Sequence, residues 1–205
     1  MTRGRPRKID PDTALESAMQ LYWDKGFERT SMADLVKATG MAKPGLYANL
    51  GDKEQIFQKA LEHYDETVVS PMLEKLFSPS TPLKEALRQS LSGMMHSLKG
   101  SGLPMGCFVI NSTFECAGEK DRISEYLAQM NAKRRDAYLE RLDHAKADGE
   151  LSKKADTLAL ANFFTGQSAA IGAMARSGLP LSELDAMVEV ALSALPEDEK
   201  VRYTV

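Results

Sequence analysis

The sequence predicts an all-α protein of about nine helices, and three observations point to that class. Apolar residues recur at spacings of three and four along most of the 205-residue chain. Capping residues, Gly and Pro interrupt this pattern at intervals that suit helices. No convincing run alternates apolar and polar β-branched residues, so the sequence predicts no strand.

The first helix is predicted between Asp10 and Gly26. Asp10 suits the N-cap, and Pro11 suits the first helical position because an N–H has no partner there in any helix. Gly26 suits the C-terminal stop. Apolar side chains at spacings of three, four and seven form one face for burial, namely Leu15, Ala18, Met19 and Tyr22.

Two short helices follow, joined by a turn of three residues. Ser31 with Asp34 forms a capping-box pattern, which predicts a helix that ends at Gly40. Residues 43–49 predict the next helix, with Pro44 tolerated in its first turn. Two short helices connected in this way are typical of a helix-turn-helix, whose second helix enters the DNA major groove. Together with the first helix they predict a homeodomain-like three-helix domain.

A longer fourth helix is predicted behind Gly51, where Asp52 suits the N-cap and Gln55 occupies the capping-box position. Pro71 predicts a kink in this helix or its end. Gly and Pro then separate five further helical segments, at about 82–99, 104–117, 121–148, 154–177 and 182–195. We place the domain boundary at the start of the fourth helix. Residues 1–53 then hold an N-terminal arm and the helix-turn-helix domain, and residues 54–205 form a larger helical domain.

Charge is unevenly distributed, although the net charge is only −3. Beyond residue 53 acids outnumber bases, whereas the arm holds bases without any acid, namely Arg3, Arg5, Arg7 and Lys8. Only this end of the chain suits DNA phosphates. Its Arg-Gly-Arg-Pro segment resembles the core of an AT-hook, which lays arginines along a narrow A·T-rich minor groove. The alternative is a disordered basic tail that adds only non-specific attraction.

Composition and motifs disfavour a membrane protein, a disulfide scaffold and an enzyme. No stretch approaches the roughly 18 apolar residues of a membrane helix, and no signal peptide is evident, so the cytoplasm is predicted. Two cysteines and three scattered histidines form no zinc pattern, so neither a metal nor another cofactor is expected. No glycine loop that would hold phosphates precedes a helix, and no nucleophile has a local base.

The stretch from Gly26 to Phe57 carries a specific pattern, G-F-E-R-T-S-M-A-D-L-V-K-A-T-G-M-A-K-P-G-L-Y-A-N-L-G-D-K-E-Q-I-F. It resembles the TetR family of bacterial repressors. The resemblance implies a nucleoid-associated repressor that binds a palindromic double-stranded DNA operator as a homodimer and is released by an effector. A transcriptional activator of the same family is one alternative, and a less specific architectural DNA-binding protein is another.

The resemblance also implies which residues contact DNA. Hydroxyl groups at the start of the second helix hold a phosphate, small residues let the recognition helix approach the groove, and lysines and a tyrosine reach phosphates. Asn49 is best suited to a bidentate contact with adenine. It stands where an aromatic residue or His is common in the family, and Ala42 stands where Ser or Thr is frequent. The other implied contacts are Thr30, Ser31, Lys43, Pro44, Gly45, Tyr47 and Lys53.

Family members often hold an effector in an apolar cavity among the helices of the larger domain. Of the predicted lining residues, His96 and Asn111 are the polar pair that would orient an unknown small molecule. The alternative is that these residues form an ordinary helical core. The predicted lining is Met94, His96, Met105, Cys107, Phe108, Asn111, Phe114, Tyr126, Phe163 and Met174.

Cys107 is also a candidate sensor of oxidants or electrophiles. It is predicted in the first turn of its helix, where the macrodipole favours a thiolate. The segment from Gly106 to Asn111 resembles a TetR subgroup in which a cysteine at this place is the sensor. The alternative is a buried cysteine that acts as a small hydrophobic residue. Cys116, near the other end of the same helix, is the weaker candidate.

The last two predicted helices are the candidate dimer surface. The first is rich in small residues and the second has an apolar stripe. Pairing through them would place two recognition helices in successive major grooves, about 34 to 36 Å apart. The predicted interface residues are Phe163, Gly166, Ala170, Ala173, Leu184, Met187, Val188 and Leu192.

Overall fold

The computed structural model describes residues 9–78, 80–116 and 122–196, and every regular element in these ranges is helical. Because α4, a π turn and α5 run on without a break, the described residues form nine continuous helices, which confirms the predicted all-α fold. The basic residues of the arm, Arg3, Arg5, Arg7 and Lys8, lie outside the described ranges. The elements are α1 (Pro11–Lys25), α2 (Met32–Thr39), α3 (Lys43–Asn49), α4 (Lys53–Tyr64), the π turn (Asp65–Val69), α5 (Ser70–Glu74), a 3₁₀ turn (Lys75–Phe77), α6 (Leu83–Leu98), α7 (Phe108–Glu115), α8 (Arg122–Ala147), α9 (Thr157–Arg176) and α10 (Leu181–Leu192).

The caps predicted for the first, second and fourth helices are present. The Asp10 side chain accepts a hydrogen bond from the backbone N–H of Thr13. Complete capping boxes start α2, at Ser31, and α4, at Asp52. Gly40 ends α2 in the left-handed conformation, with φ at +69°. Local side-chain chemistry therefore sets the bounds of the N-terminal helices.

Aromatic side chains join the N-terminal helices to the rest of the molecule. Tyr22 of α1 packs edge-on against Phe57 of α4, with 4.9 Å between ring centroids. Phe108, the first residue of α7, packs edge-on against both Phe57 and Tyr64. All four rings are almost fully buried. One apolar core therefore runs from the helix-turn-helix through α4 to α7.

The chain around Pro71 changes helical register without ending the helix. The π turn directly precedes α5, and Pro71 falls at the start of α5. A proline has no N–H to donate inside a helix, and the π turn directly before Pro71 is where the hydrogen-bond register changes. The helical run continues through the 3₁₀ turn to Phe77, about two turns past Pro71, so this proline does not end the helix.

α7 begins later than the sequence predicts. Residues 104–107 precede α7 and are not helical, and Gly106 has φ at +91°. A non-helical backbone at Gly106 delays the start to Phe108. Cys107 is consequently the N-cap residue of α7, directly before the first turn in which the sequence predicted it.

The C-terminal helices form the remaining bundle. α8 packs along α9, and α10 packs against both α6 and α9. Their shared core buries Tyr138 and Leu142 of α8, Phe164 of α9 and Leu184 of α10. No helix among the described residues is both long enough and apolar enough to cross a bilayer.

Candidate DNA-binding surface and sensor site

The third helix presents a polar face because its apolar residues fix its orientation. Leu46, inside α3, and Leu50, at its C-cap, are buried against the core. Lys43, Tyr47 and Asn49 consequently lie on the exposed side. The Lys43 ammonium lies 6.0 Å from the Tyr47 ring centroid, so a cation and a phenol share one surface. Such a face suits phosphate and base contacts in a groove.

Two further predicted contacts on α3 are also at the surface. Pro44 is exposed, and a Cβ added to Gly45 would meet no protein atom within 4 Å. The protein itself therefore does not require a glycine at this position, whereas a closely approaching DNA backbone would. The Asn49 side chain donates one N–H to the Gly45 carbonyl at 2.7 Å, which leaves its second N–H and its Oδ1 for a base.

The structure corrects the role predicted for Thr30. The residue is 1% exposed, and its hydroxyl donates to the Gly26 carbonyl at 2.6 Å. Its backbone N–H is bonded to the Phe27 carbonyl. With both donors satisfied inside the protein, Thr30 holds the turn before α2 and does not offer a hydroxyl to DNA.

Ser31 is exposed beside Thr30, at the start of α2. Its hydroxyl donates to the Asp34 carboxylate at 2.6 Å, and Lys25 reaches the same oxygen. The hydrogen bonds from Lys25 and then from Ser31 lower the pKa of Asp34 far below its ordinary value. Asp34 is therefore a charged carboxylate at neutral pH, and it lies next to Ser31, the proposed phosphate contact.

Lys53 links α4 to the turn between α1 and α2. Its ammonium lies 4.2 Å from the centroid of the Phe27 ring and 3.5 Å from the Glu28 carbonyl oxygen. The Lys53 carbonyl accepts the buried Tyr22 hydroxyl at 2.8 Å. The backbone of Lys53 is thus fixed to α1, and its half-buried side chain is held over the turn.

The residues predicted to line one effector cavity do not come together. His96 is exposed and pairs with Asp185 of α10 at 2.8 Å, because α6 turns this side chain toward solvent. Phe114, Phe163 and Met174 are also exposed. Asn111 and Phe108 line a small cavity of about 290 Å³ between α1, α7 and α9.

A larger cavity of about 630 Å³ lies among α1, the π turn, α5 and α6. Of the predicted lining residues it includes only Met94. Met19 and Trp23 are four residues apart on α1, so the sequence indicates that they share one face. It does not show which other helix packs over that face to close the cavity. Its apolar lining is Met19, Trp23, Val68, Pro71, Met72, Met94, Leu98 and Leu103, with Glu16, Thr67, Lys75, Gln89, Gly93 and Ser97 beside them.

Cys107 lies in a buried polar cluster that the sequence did not reveal. The thiol is 4% exposed, and a guanidinium nitrogen of Arg134, from α8, lies 3.5 Å from its sulfur. Tyr64 adjoins the same group, and its hydroxyl donates to the Met94 sulfur at 3.3 Å. Burial, and then Cys107, raise the pKa of Tyr64 well above its ordinary value. Met105 and Tyr126, the remaining predicted lining residues, are half-buried.

Contacts at the far end of α7 join the larger domain to the DNA-binding domain. The Glu115 carboxylate accepts the backbone N–H groups of Phe27, at 3.0 Å, and Glu28, at 2.9 Å. Arg176, at the end of α9, donates to the Asp24 carbonyl. We call this pair of contacts, made by Glu115 and Arg176 to residues 24–28, the clamp. It fixes the turn that precedes α2.

Part of the predicted dimer surface faces inward. Leu184, Val188 and Leu192 are at most 1% exposed because α10 packs on α6 and α9 of the same chain. That part of the prediction is corrected. The exposed apolar residues of these helices instead include Leu158, Phe163, Met174 and Val190. Gly166 is exposed, and Ala170, Ala173 and Met187 are half-buried.

An exposed recognition helix that packs against α2, within a domain fixed to a helical bundle, defines a DNA-binding regulator of transcription. Residues 14–60 match the family model of bacterial regulatory proteins of the tetR family. Residues 84–195 match the tetracyclin repressor-like C-terminal domain. The chain belongs to the TetR family.

Known proteins resemble the chain along most of its length. The HTH-type transcriptional repressor ComR of Escherichia coli (strain K12) is 31% identical over 96% of this chain and 93% of ComR. An uncharacterized HTH-type transcriptional regulator of Bacillus subtilis (strain 168), YezE, is 28% identical over 94% of this chain and 99% of YezE. A cysteine mutant of the TetR family regulator CifR, solved with 26-base-pair operator DNA, has a TM-score of 0.85 at 30% identity and covers 94% of this chain and 100% of its own.

Proposed function

We propose that the chain is a transcriptional repressor that binds a palindromic operator as a homodimer and releases it when an effector acts on the larger domain. The exposed polar face of α3, opposite buried Leu46 and Leu50, carries the proposal. The similarity to ComR, a repressor, and to CifR bound to operator DNA supports it.

The exposed side of α9 and α10 supports the dimer. Phe163, Gly166, Ala170 and Met174 recur at helical spacing along α9, and Val190 adds an apolar side chain on α10. An apolar stripe of this kind suits a symmetric interface, in which the same helices of two copies cover each other. The dimer then brings two α3 helices to one near-palindromic site.

Two places suit an effector. The cavity of about 630 Å³ could accept a small, mostly apolar molecule, and the Cys107 thiol could react with an oxidant or electrophile. In either case the effector acts only through a difference in affinity or reactivity between the DNA-bound and released arrangements.

Selection of bound fragments from genomic DNA by the purified full chain tests the DNA-binding proposal. A single enriched palindrome supports it. Binding to all fragments with a low specificity ratio would favour an architectural protein instead. Asn49→Ala should relax preference at one base pair of each half-site, whereas Lys43→Ala should weaken binding to all sequences and flatten the salt dependence.

A reporter gene behind the selected operator separates repression from activation. Expression that rises when the regulator is deleted supports a repressor, and expression that falls supports an activator. Val190→Arg should dissociate the dimer in sedimentation and weaken operator binding. Gln129→Arg places the same charge on exposed α8 and is the matched control. An intact Val190→Arg dimer would contradict the proposed interface.

A further inference from the structure

The cavity of about 630 Å³ lies between the helix-turn-helix and the larger domain. Met19 and Trp23, on one wall, belong to α1, whereas Met72 of α5 and Met94 of α6 form the opposite side. Small-molecule sites in proteins typically have volumes of about 300 to 1,000 Å³, so this cavity has the size of a binding site. A ligand held there would contact a helix of the DNA-binding domain directly.

Gly93 leaves open space in the wall of this cavity. It lies inside α6, where a glycine destabilises a helix relative to most other residues. Its φ is not in the left-handed region, and a Cβ added there would meet no protein atom within 4 Å. Neither the backbone nor the packing of the chain therefore requires a glycine. A ligand lying against α6 would require one, because a side chain at this position would take its place.

The apolar lining favours an aromatic ligand. Three methionines, Met19, Met72 and Met94, reach the cavity from three different helices, and the indole of Trp23 adds an aromatic surface. Thioether sulfurs make favourable contacts with aromatic rings, and unbranched methionine side chains adapt to the shape of a ligand. Aromatic rings also pack favourably on one another in offset or edge-on arrangements. These side chains together suit a flat, polarizable molecule.

The polar lining favours an uncharged ligand with a hydrogen-bond acceptor. The cavity has one acid, Glu16, and one base, Lys75, so it does not select for either charge. The hydroxyl groups of Thr67 and Ser97 donate to backbone carbonyls of their own helical segments. The indole N–H of Trp23, in contrast, is buried and has no acceptor in the described part of the chain. Since an unpaired buried donor is costly, this group calls for an acceptor.

We propose that the cavity binds a neutral aromatic molecule between α1 and α6, with a hydrogen-bond acceptor at the indole N–H of Trp23, and that its occupancy displaces α1. This deepens the proposed function, on which it rests for the role of an effector in releasing DNA.

α1 connects the cavity to the DNA-binding surface. It packs along both α2 and α4, and α2 packs against α3. On the cavity side, the Trp23 ring packs edge-on against Tyr64 with 5.0 Å between centroids, and Glu16 pairs with His63 of α4 at 2.9 Å. A ligand that binds more tightly when α1 is displaced from α6 would move α2 with α1, and so weaken operator binding.

The tryptophan in the cavity wall makes binding measurable at the site itself. Trp23 is the only tryptophan of the sequence, so tryptophan fluorescence reports on this wall alone. Prodan is a neutral naphthyl ketone that accepts excitation energy from tryptophan. It should quench the fluorescence of the full-length protein in a saturable manner, with one molecule bound per chain.

Filling the open space at Gly93 tests the site. Gly93→Leu should weaken prodan binding by about tenfold or more, because the new side chain competes with the ligand for space. Its midpoint of urea unfolding should stay the same or rise, since α6 loses an internal glycine. Ala128→Leu places the same side chain on the exposed side of α8 and should bind prodan normally. Equal affinity of Gly93→Leu and the unsubstituted protein, or quenching that does not saturate, would overturn the site.

Two further ligands test the chemical class. The prodan analogue in which a CH₂ group replaces the ketone should bind several-fold more weakly, measured by displacement of prodan, because the indole N–H then stays unpaired. Equal affinity of the two compounds would overturn the acceptor contact. Tighter binding of the anionic naphthalene sulfonate ANS would overturn the preference for an uncharged ligand.

Operator binding is measured separately, by the fluorescence anisotropy of labelled operator DNA. Release of the operator by prodan from the unsubstituted protein, but not from Gly93→Leu, supports the displacement of α1. Full retention of the operator at saturating prodan would overturn it. If the chain bound no specific operator, only the proposed function would fail, because the prodan measurement needs no DNA.

Discussion

Replacing Gly106 with Ala tests the close contact between the start of α7 and α9. Gly106 has φ at +91°, and an added Cβ would lie 2.8 Å from the Gly172 carbonyl oxygen and 3.2 Å from Cβ of Arg176. The left-handed conformation costs a residue with a side chain about 1 to 2 kcal/mol. Forcing a methyl group against a backbone carbonyl adds about 1 to 3 kcal/mol. We expect Gly106→Ala to lower the free energy of unfolding by about 2 to 5 kcal/mol.

Gly149→Ala is the matched control. Gly149 also has a positive φ, +79°, but a Cβ there would meet no atom within 4 Å. It should show only the conformational cost, about 1 to 2 kcal/mol. Urea unfolding of both variants, monitored by circular dichroism, measures the difference. Equal losses for the two variants would refute the proposed clash, and with it the close contact that keeps Cys107 at the start of α7.

Three further predictions concern single contacts. Tyr22→Phe leaves the Lys53 carbonyl without its buried donor and should cost about 1 kcal/mol in urea unfolding; an unchanged midpoint would contradict this. Asp34→Asn should lower stability at pH 7 but less so at pH 3, because the lowered pKa of Asp34 stabilises the fold above the ordinary carboxyl range and this stabilisation is lost as pH falls. Parallel pH profiles would argue against it. Glu115→Ala should speed hydrogen exchange of the residue 27 and 28 amides several-fold, whereas unchanged protection would show that the clamp is not a stable contact.

The N-terminal helices could be predicted because their ends depend on neighbouring residues. The box of Ser31 with Asp34 and the box of Asp52 with Gln55 fix two helix starts within four residues of sequence. Apolar spacing around Leu46 likewise predicts which face of α3 is buried and leaves Lys43 exposed. These features need no knowledge of distant contacts.

The sites that depend on long-range packing could not be predicted in the same way. The hydroxyl of Thr30 suits a phosphate by position, but its burial follows from how the turn after α1 folds back on Gly26. The guanidinium that contacts Cys107 belongs to Arg134, 27 residues away on α8, and no spacing rule connects them. The exposure of His96 and its contact with Asp185 depend on how α6 and α10 pack, which the sequence does not show.

α7 connects Cys107 to the turn before α2, two features that the sequence alone does not relate. At its start Cys107 faces Arg134, and at its end Glu115 holds the N–H groups of residues 27 and 28. Eight residues at about 1.5 Å each make a rigid link of about 12 Å between them. The turn at its far end also carries the Lys53 contact with Glu28. A displacement of α7 would therefore reach the turn before α2 directly, through Glu115.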